Sequence, residues 1–139
     1  MPGYLLKPLV GRMKRLCFEE IDALSQQFHT SRTAMAIQVI KLDAAPALLI
    51  CHNAAGRRWF VASPSVPRRW FPKSELDADS CAMDVVFGTA ENTRMQVTGA
   101  DAWFDRYDAD RHEVFEQARR GVNGEALCLV VLKSAEMMD

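Results

Sequence analysis

At 139 residues the chain suits one compact domain, or one domain with a small helical appendage, and can bury roughly two-thirds of the surface it exposes when unfolded. Hydrophobic residues make up 49% and charged residues 25%, values that exclude a disordered or fibrous chain. Seventeen Lys and Arg against 18 Asp and Glu leave a net charge of -1, so no global field draws phosphates and any nucleic-acid contact must come from a local patch.

The segment 1–15, with Pro2, Gly3, Pro8 and Gly11 between short apolar patches, reads as an irregular or briefly helical arm. From Cys17 to Phe28 the apolar positions Cys17, Phe18, Ile21, Leu24 and Phe28 recur at three and four, the mark of an amphipathic helix. Glu19, Glu20 and Asp22 fall in its first turns, at the positive end of the helix dipole. Ser31 can cap a second, largely buried helix from Arg32 to about Asp43, so the two helices form an αα unit.

The period then changes. Pro46 to Cys51 and Arg57 to Ala62 flank the turn residues 52–56 and predict a hairpin. The segment 63–79 carries Pro64, Pro67 and Pro72 around Trp70 and Phe71, a loop too long and too aromatic to be a mere connector. A short helix over Ser80 to Phe87 is expected, capped by Asp77 or Asp79 and ended by Gly88. Thr93 to Thr98 reads as a strand, with Trp103 and Phe104 in or near another. Arg111 to Arg119 alternates as a strand, residues 121–124 turn, and Ala126 to Leu132 is a continuous apolar strand expected at the centre of the sheet. The fold class is therefore α+β: an N-terminal helix pair over 1–44, then a mostly antiparallel sheet with one inserted helix over 45–139.

Cys17, Cys51, Cys81 and Cys128 are widely spaced, form no C-x-x-C pair and sit in apolar settings. They read as buried reduced thiols rather than a disulfide framework. With no signal-peptide run and no stretch near the ~20 apolar residues of a membrane span, the expectation is a cytoplasmic protein without membrane contact. His112-Glu113-Val114-Phe115-Glu116 approaches H-E-x-x-H but sits on a predicted strand, where positions i and i+4 stand roughly 13 Å apart, so no metal site is expected. No phosphate loop, nucleophile elbow or paired base is present, and neither catalytic residues nor a cofactor are predicted.

Two surfaces remain. Arg57, Trp59, Arg68, Arg69, Trp70 and Trp103 alternate cations with aromatics and suit either a closed core with solvated arginines or a patch for an anionic ligand or partner. Residues 23–35 have the shape of a helix-turn-helix, in which Arg32, Thr33, Gln38 and Lys41 would touch DNA. Four basic residues in 14–43 are matched by Glu19, Glu20, Asp22 and Asp43, so such binding would be weak.

The run Phe28-His29-Thr30-Ser31-Arg32-Thr33-Ala34-Met35-Ala36 resembles the helical segment downstream of the active site in the ImmA/IrrE metallo-endopeptidases, and Tyr4-Leu5-Leu6-Lys7-Pro8 is similar to the stretch after their zinc site. Trp59-Phe60, Pro67, Pro72 and Glu116-Gln117 fit the C-terminal, GAF-like sensor portion of longer members. No histidine precedes His29, so two of the family's zinc ligands and its general-base glutamate have no counterpart. The resemblance implies a peptidase-less sensor or interaction module of a stress-response or mobile-element regulatory system, binding a small ligand or regulatory protein; the rival is a DNA-binding regulator. Helix pairs of this type and exposed edge strands both support a homodimer.

Overall fold

The computed structural model describes residues 3–11 and 15–139. Lys14, counted in the charge balance above, and Pro2 of the arm lie outside the described residues. Three helices, α1 (Gly3–Gly11), α2 (Phe18–Gln27) and α3 (Arg32–Lys41), precede strands β1 (Ala47–Asn53) and β2 (Gly56–Ala62); α4 (Ala82–Val86) is inserted before β3 (Gln96–Gly99), β4 (Glu113–Arg120) and β5 (Ala126–Leu132). The five strands form one antiparallel sheet in the order β2-β1-β5-β4-β3. The chain is α+β, with β5 at the centre.

The helix pair forms for local reasons. Phe18, Ile21 and Leu24 of α2 and Met35, Ala36, Val39 and Ile40 of α3 turn inward at helical spacing. His29 takes the left-handed conformation at φ 54°, which reverses the chain between them. The Ser31 hydroxyl accepts from the Ala34 amide at 3.1 Å, a cap worth about 1 kcal/mol.

Alternation on β1 divides the core in two. Ala47, Leu49 and Cys51 pack with Leu127 and Leu129 against the three N-terminal helices. Leu48 and Ile50 pack with Cys128, Val130 and Val114 against α4, the 63–79 loop, Trp103 and Phe104. Both faces of the central strands are thus covered, which is why β1 and β5 read as unbroken apolar runs. The segments 1–44 and 45–139, distinct in sequence period, share the helix-side core.

Three expectations need correction. The strand expected over Thr93 to Thr98 begins only at Gln96, because Thr93 bonds Ala118 through both its backbone and its hydroxyl and bends the chain there. Trp103 and Phe104 follow a 3-10 turn at Ala100–Ala102 instead of entering a strand, and only Phe104 forms a single bridge, to Pro72. Their aromatic area drives both rings into the core, at 2% and 1% exposure. Neither Asp77 nor Asp79 caps α4: the Asp77 carboxylate accepts the Asp79 amide in a turn upstream, and the Ser80 hydroxyl accepts from Ala82 at 3.1 Å.

Candidate functional site

The 63–79 loop crosses the sheet beside β2 and builds an arginine–aromatic surface there. Trp70 is anchored inside, its indole donating to the Met137 carbonyl at 2.7 Å, and Arg69 donates to the same carbonyl at 2.9 Å while stacking over the Trp70 ring. Phe71 is 57% exposed and stands edge-on to Phe60 at 5.1 Å. The Arg57 guanidinium lies within 5.4 Å of the Phe60 ring and 4.9 Å of the Phe71 ring, and is held by the Pro72 carbonyl. Beside them opens an apolar cleft of about 270 Å³ lined by Phe60, Val66, Trp70 and Phe71, with exposed Arg68 at its rim.

The charges on this surface lack internal counterparts. Among the described residues no carboxylate lies within 4.0 Å of Arg57, Arg68 or Arg69. Lys73, nearby, is instead tied to Asp77 at 3.1 Å. Backbone carbonyls hold Arg57 and Arg69, while Arg68 is exposed beside the exposed Phe71.

Trp59 belongs elsewhere. Successive residues of a strand face opposite sides, so Trp59 packs on the helix-side core while its neighbour Phe60 packs on the other. Trp59 lines a groove of about 530 Å³ together with Arg32, Thr33, Arg119 and Arg120. Internal acceptors engage these cations: Arg119 makes a bidentate pair with Asp22, Arg32 lies 3.8 Å from the same carboxylate, and Arg120 donates to the Ala90 carbonyl at 3.0 Å. Gln38 and Lys41 do not join this groove. Nine positions at about 100° each turn Lys41 to the side of α3 opposite Arg32, so the four residues assigned to DNA do not share one reading face.

Trp103 is not part of any surface. It lies in the core, edge-on to His52 at 6.0 Å, and its indole donates to Glu116 at 2.9 Å. Glu116 is fully buried and also accepts from the Cys81 amide at 3.1 Å and the Gln96 side chain at 2.8 Å. The signal for it was present in the sequence, since Glu116 stands between Val114 and Ala118 in the inward row of a strand. His52, 1% exposed with no partner on Nδ1, is pushed down to about 4, first by burial and then by the Arg57 charge. Burial, aided by Glu125 and Glu116 respectively, raises the Cys51 and Cys81 thiols to about 12, and burial pushes Cys128 well above its usual range. Among the described residues no three His, Cys, Asp or Glu side chains converge as metal ligands. His112 precedes β4 and packs edge-on against Trp70 at 5.7 Å, while Glu116 lies within the strand.

The structure thus brings Arg57, Arg68, Arg69 and Trp70 together, leaves Trp103 inside, and places Trp59 with Arg32 and Thr33 on the other face. No helix among the described residues is long and apolar enough to cross a membrane. No protein-family model matches the chain, and no curated protein is similar to it.

Proposed function

We propose that the chain is a non-catalytic interaction module that recognises an anionic partner through the arginine–aromatic surface of the 63–79 loop. The regulatory, cytoplasmic setting belongs to the same proposal and rests on the ImmA/IrrE-like residues quoted above. The observation that carries the reading is the gathering of Arg57, Arg68 and Arg69, without carboxylate partners, around the exposed Phe71 and an apolar cleft. Aromatics and arginine are the residue types that supply most binding energy at protein interfaces. The filled core around Trp103 favours a surface partner over an enclosed small ligand. The raised thiols argue against Cys51 and Cys81 as nucleophiles, because the thiolate is the nucleophilic form of cysteine.

Selection of displayed random peptides on the immobilised chain tests this. The retained peptides are expected to be acidic, to lose binding when salt rises from about 50 to about 500 mM, and to ignore an Arg57→Gln/Arg68→Gln variant. Retention of neutral or basic peptides, or equal retention on the variant, would remove the surface from consideration.

A further inference from the structure

The register of β2 decides where its backbone points. The Ser63 amide donates to the Ala47 carbonyl at 2.8 Å, and this pair continues the register in which Leu49 faces Val61 and Cys51 faces Trp59. In an antiparallel ladder, hydrogen-bonded pairs alternate with pairs whose backbone groups turn outward. The N–H and C=O groups of Phe60 and Ala62 therefore point away from β1, on the side where β2 has no neighbouring strand. Among the described residues nothing bonds them, whereas the next outward amide, that of Arg57, is taken by the Ser74 carbonyl at 2.7 Å. The Phe60 and Ala62 side chains line the apolar cleft, on the sheet face next to that edge.

We propose that this edge receives an extended acidic segment of a partner protein as a sixth strand. The proposal rests on the reading of the surface given above and adds the geometry of the occupant. A partner residue opposite Phe60 exchanges both backbone bonds with it and drops its side chain on the cleft side. The residue two positions along toward Ala62 points to the same side, near Arg68; at the other end Ser74 holds the Arg57 amide, so the ladder ends at Phe60 and the Arg57 side chain faces the segment where it leaves the edge. Charge selects this occupant over a second copy of the chain. Antiparallel pairing of two β2 edges through Phe60 and Ala62 would place Arg57 and Arg58 opposite Ser65 and Pro64 of the other copy, which offer no carboxylate, whereas an acidic segment supplies one.

The probe is the blocked peptide Ser-Glu-Thr-Leu-Thr-Glu-Ser, whose two glutamates and leucine share one face of a strand. Titrated into the full chain, it is expected to protect the amides of Phe60 and Ala62 from exchange and to leave those of Trp59 and Val61, already bonded to β1, unchanged. N-methylation of the leucine, whose amide would face β2, is expected to weaken binding roughly tenfold, and N-methylation of a threonine, whose amide faces away, to leave it intact. Equal effects of the two methylations, or no binding to the wild-type chain, would overturn strand addition. Binding abolished by Arg57→Gln/Arg68→Gln but indifferent to leucine methylation would also overturn it, while leaving the acidic-partner reading standing. Protection of Phe60 and Ala62 that rises with protein concentration without peptide would assign the edge to a second copy instead.

Discussion

The Trp103 indole meets the Glu116 carboxylate at 2.9 Å inside the core, where neither side chain reaches water. The same carboxylate holds the amide that begins α4 and its cross-strand neighbour Gln96, so it ties α4 and the Trp103 turn to the sheet. Removing it strands two buried donors, the Cys81 amide and the Trp103 indole, while the exposed Gln96 amide can turn to water. Because each unpaired buried polar group costs about 1–3 kcal/mol, Glu116→Ala is expected to lower stability by about 2 kcal/mol or more. Urea unfolding measures this, with Trp103→Phe, which deletes one donor along with its bond, as the milder comparison. A Glu116→Ala loss no larger than that of Trp103→Phe would contradict the shared-acceptor role.

His52 makes stability depend on pH. Its folded-state value of about 4 lies below the ordinary 6.5, so between those values the unfolded chain binds more protons and unfolding is favoured. The contribution of His52 is fully present above about pH 6.5, falls as pH descends toward about 4, and changes little below that. Urea midpoints across this range should decline more steeply for the wild type than for His52→Phe. Parallel declines would mean that the fold does not hold this ring neutral.

Tryptophan quenching separates the faces. Trp70 and Trp103 are each 2% exposed, whereas Trp59 is only partly covered beside its groove. Acrylamide is expected to quench a fraction of the native fluorescence that disappears in Trp59→Phe and persists in Trp70→Phe. An unchanged quenchable fraction in Trp59→Phe would place that indole elsewhere.

Thiol chemistry provides a further check. Cys17 is the partly exposed cysteine, and burial shifts it upward less severely than Cys51, Cys81 and Cys128. A disulfide reagent at about pH 8 should modify one thiol in the native protein and the other three only as fast as it opens. Cys17→Ser removes the early reaction. Early labelling that survives Cys17→Ser would show that a core thiol is accessible.

Much of the fold could be read because its periods are local. Three-and-four spacing marks α2, Ser31 marks the start of α3, and the apolar runs 47–51 and 126–132 mark strands covered on both sides. What escaped depends on contacts distant in sequence. Thr93 is strand-like by type but is claimed by Ala118, and the aspartates before α4 have cap chemistry but are spent on their own turn. Among candidate residues, proximity in sequence misled at Trp59, since alternation sends it to the face opposite Phe60. Arg57, Arg68, Arg69 and Trp70 did converge, yet the open amides of Phe60 and Ala62 were invisible before the register was known.

The position of β5 has a consequence for synthesis. It follows every other strand in the chain yet lies between β1 and β4. While the polypeptide emerges from the ribosome, the 47–62 hairpin and the 96–120 pair have no common partner until residues 126–132 arrive and join two half-sheets in one event. Non-local closure of this kind is slow, and until it occurs the edges of β1 and β4 stand open beside one of the most apolar runs of the chain. The strand that completes the sheet last is thus, once closed in, among its best protected.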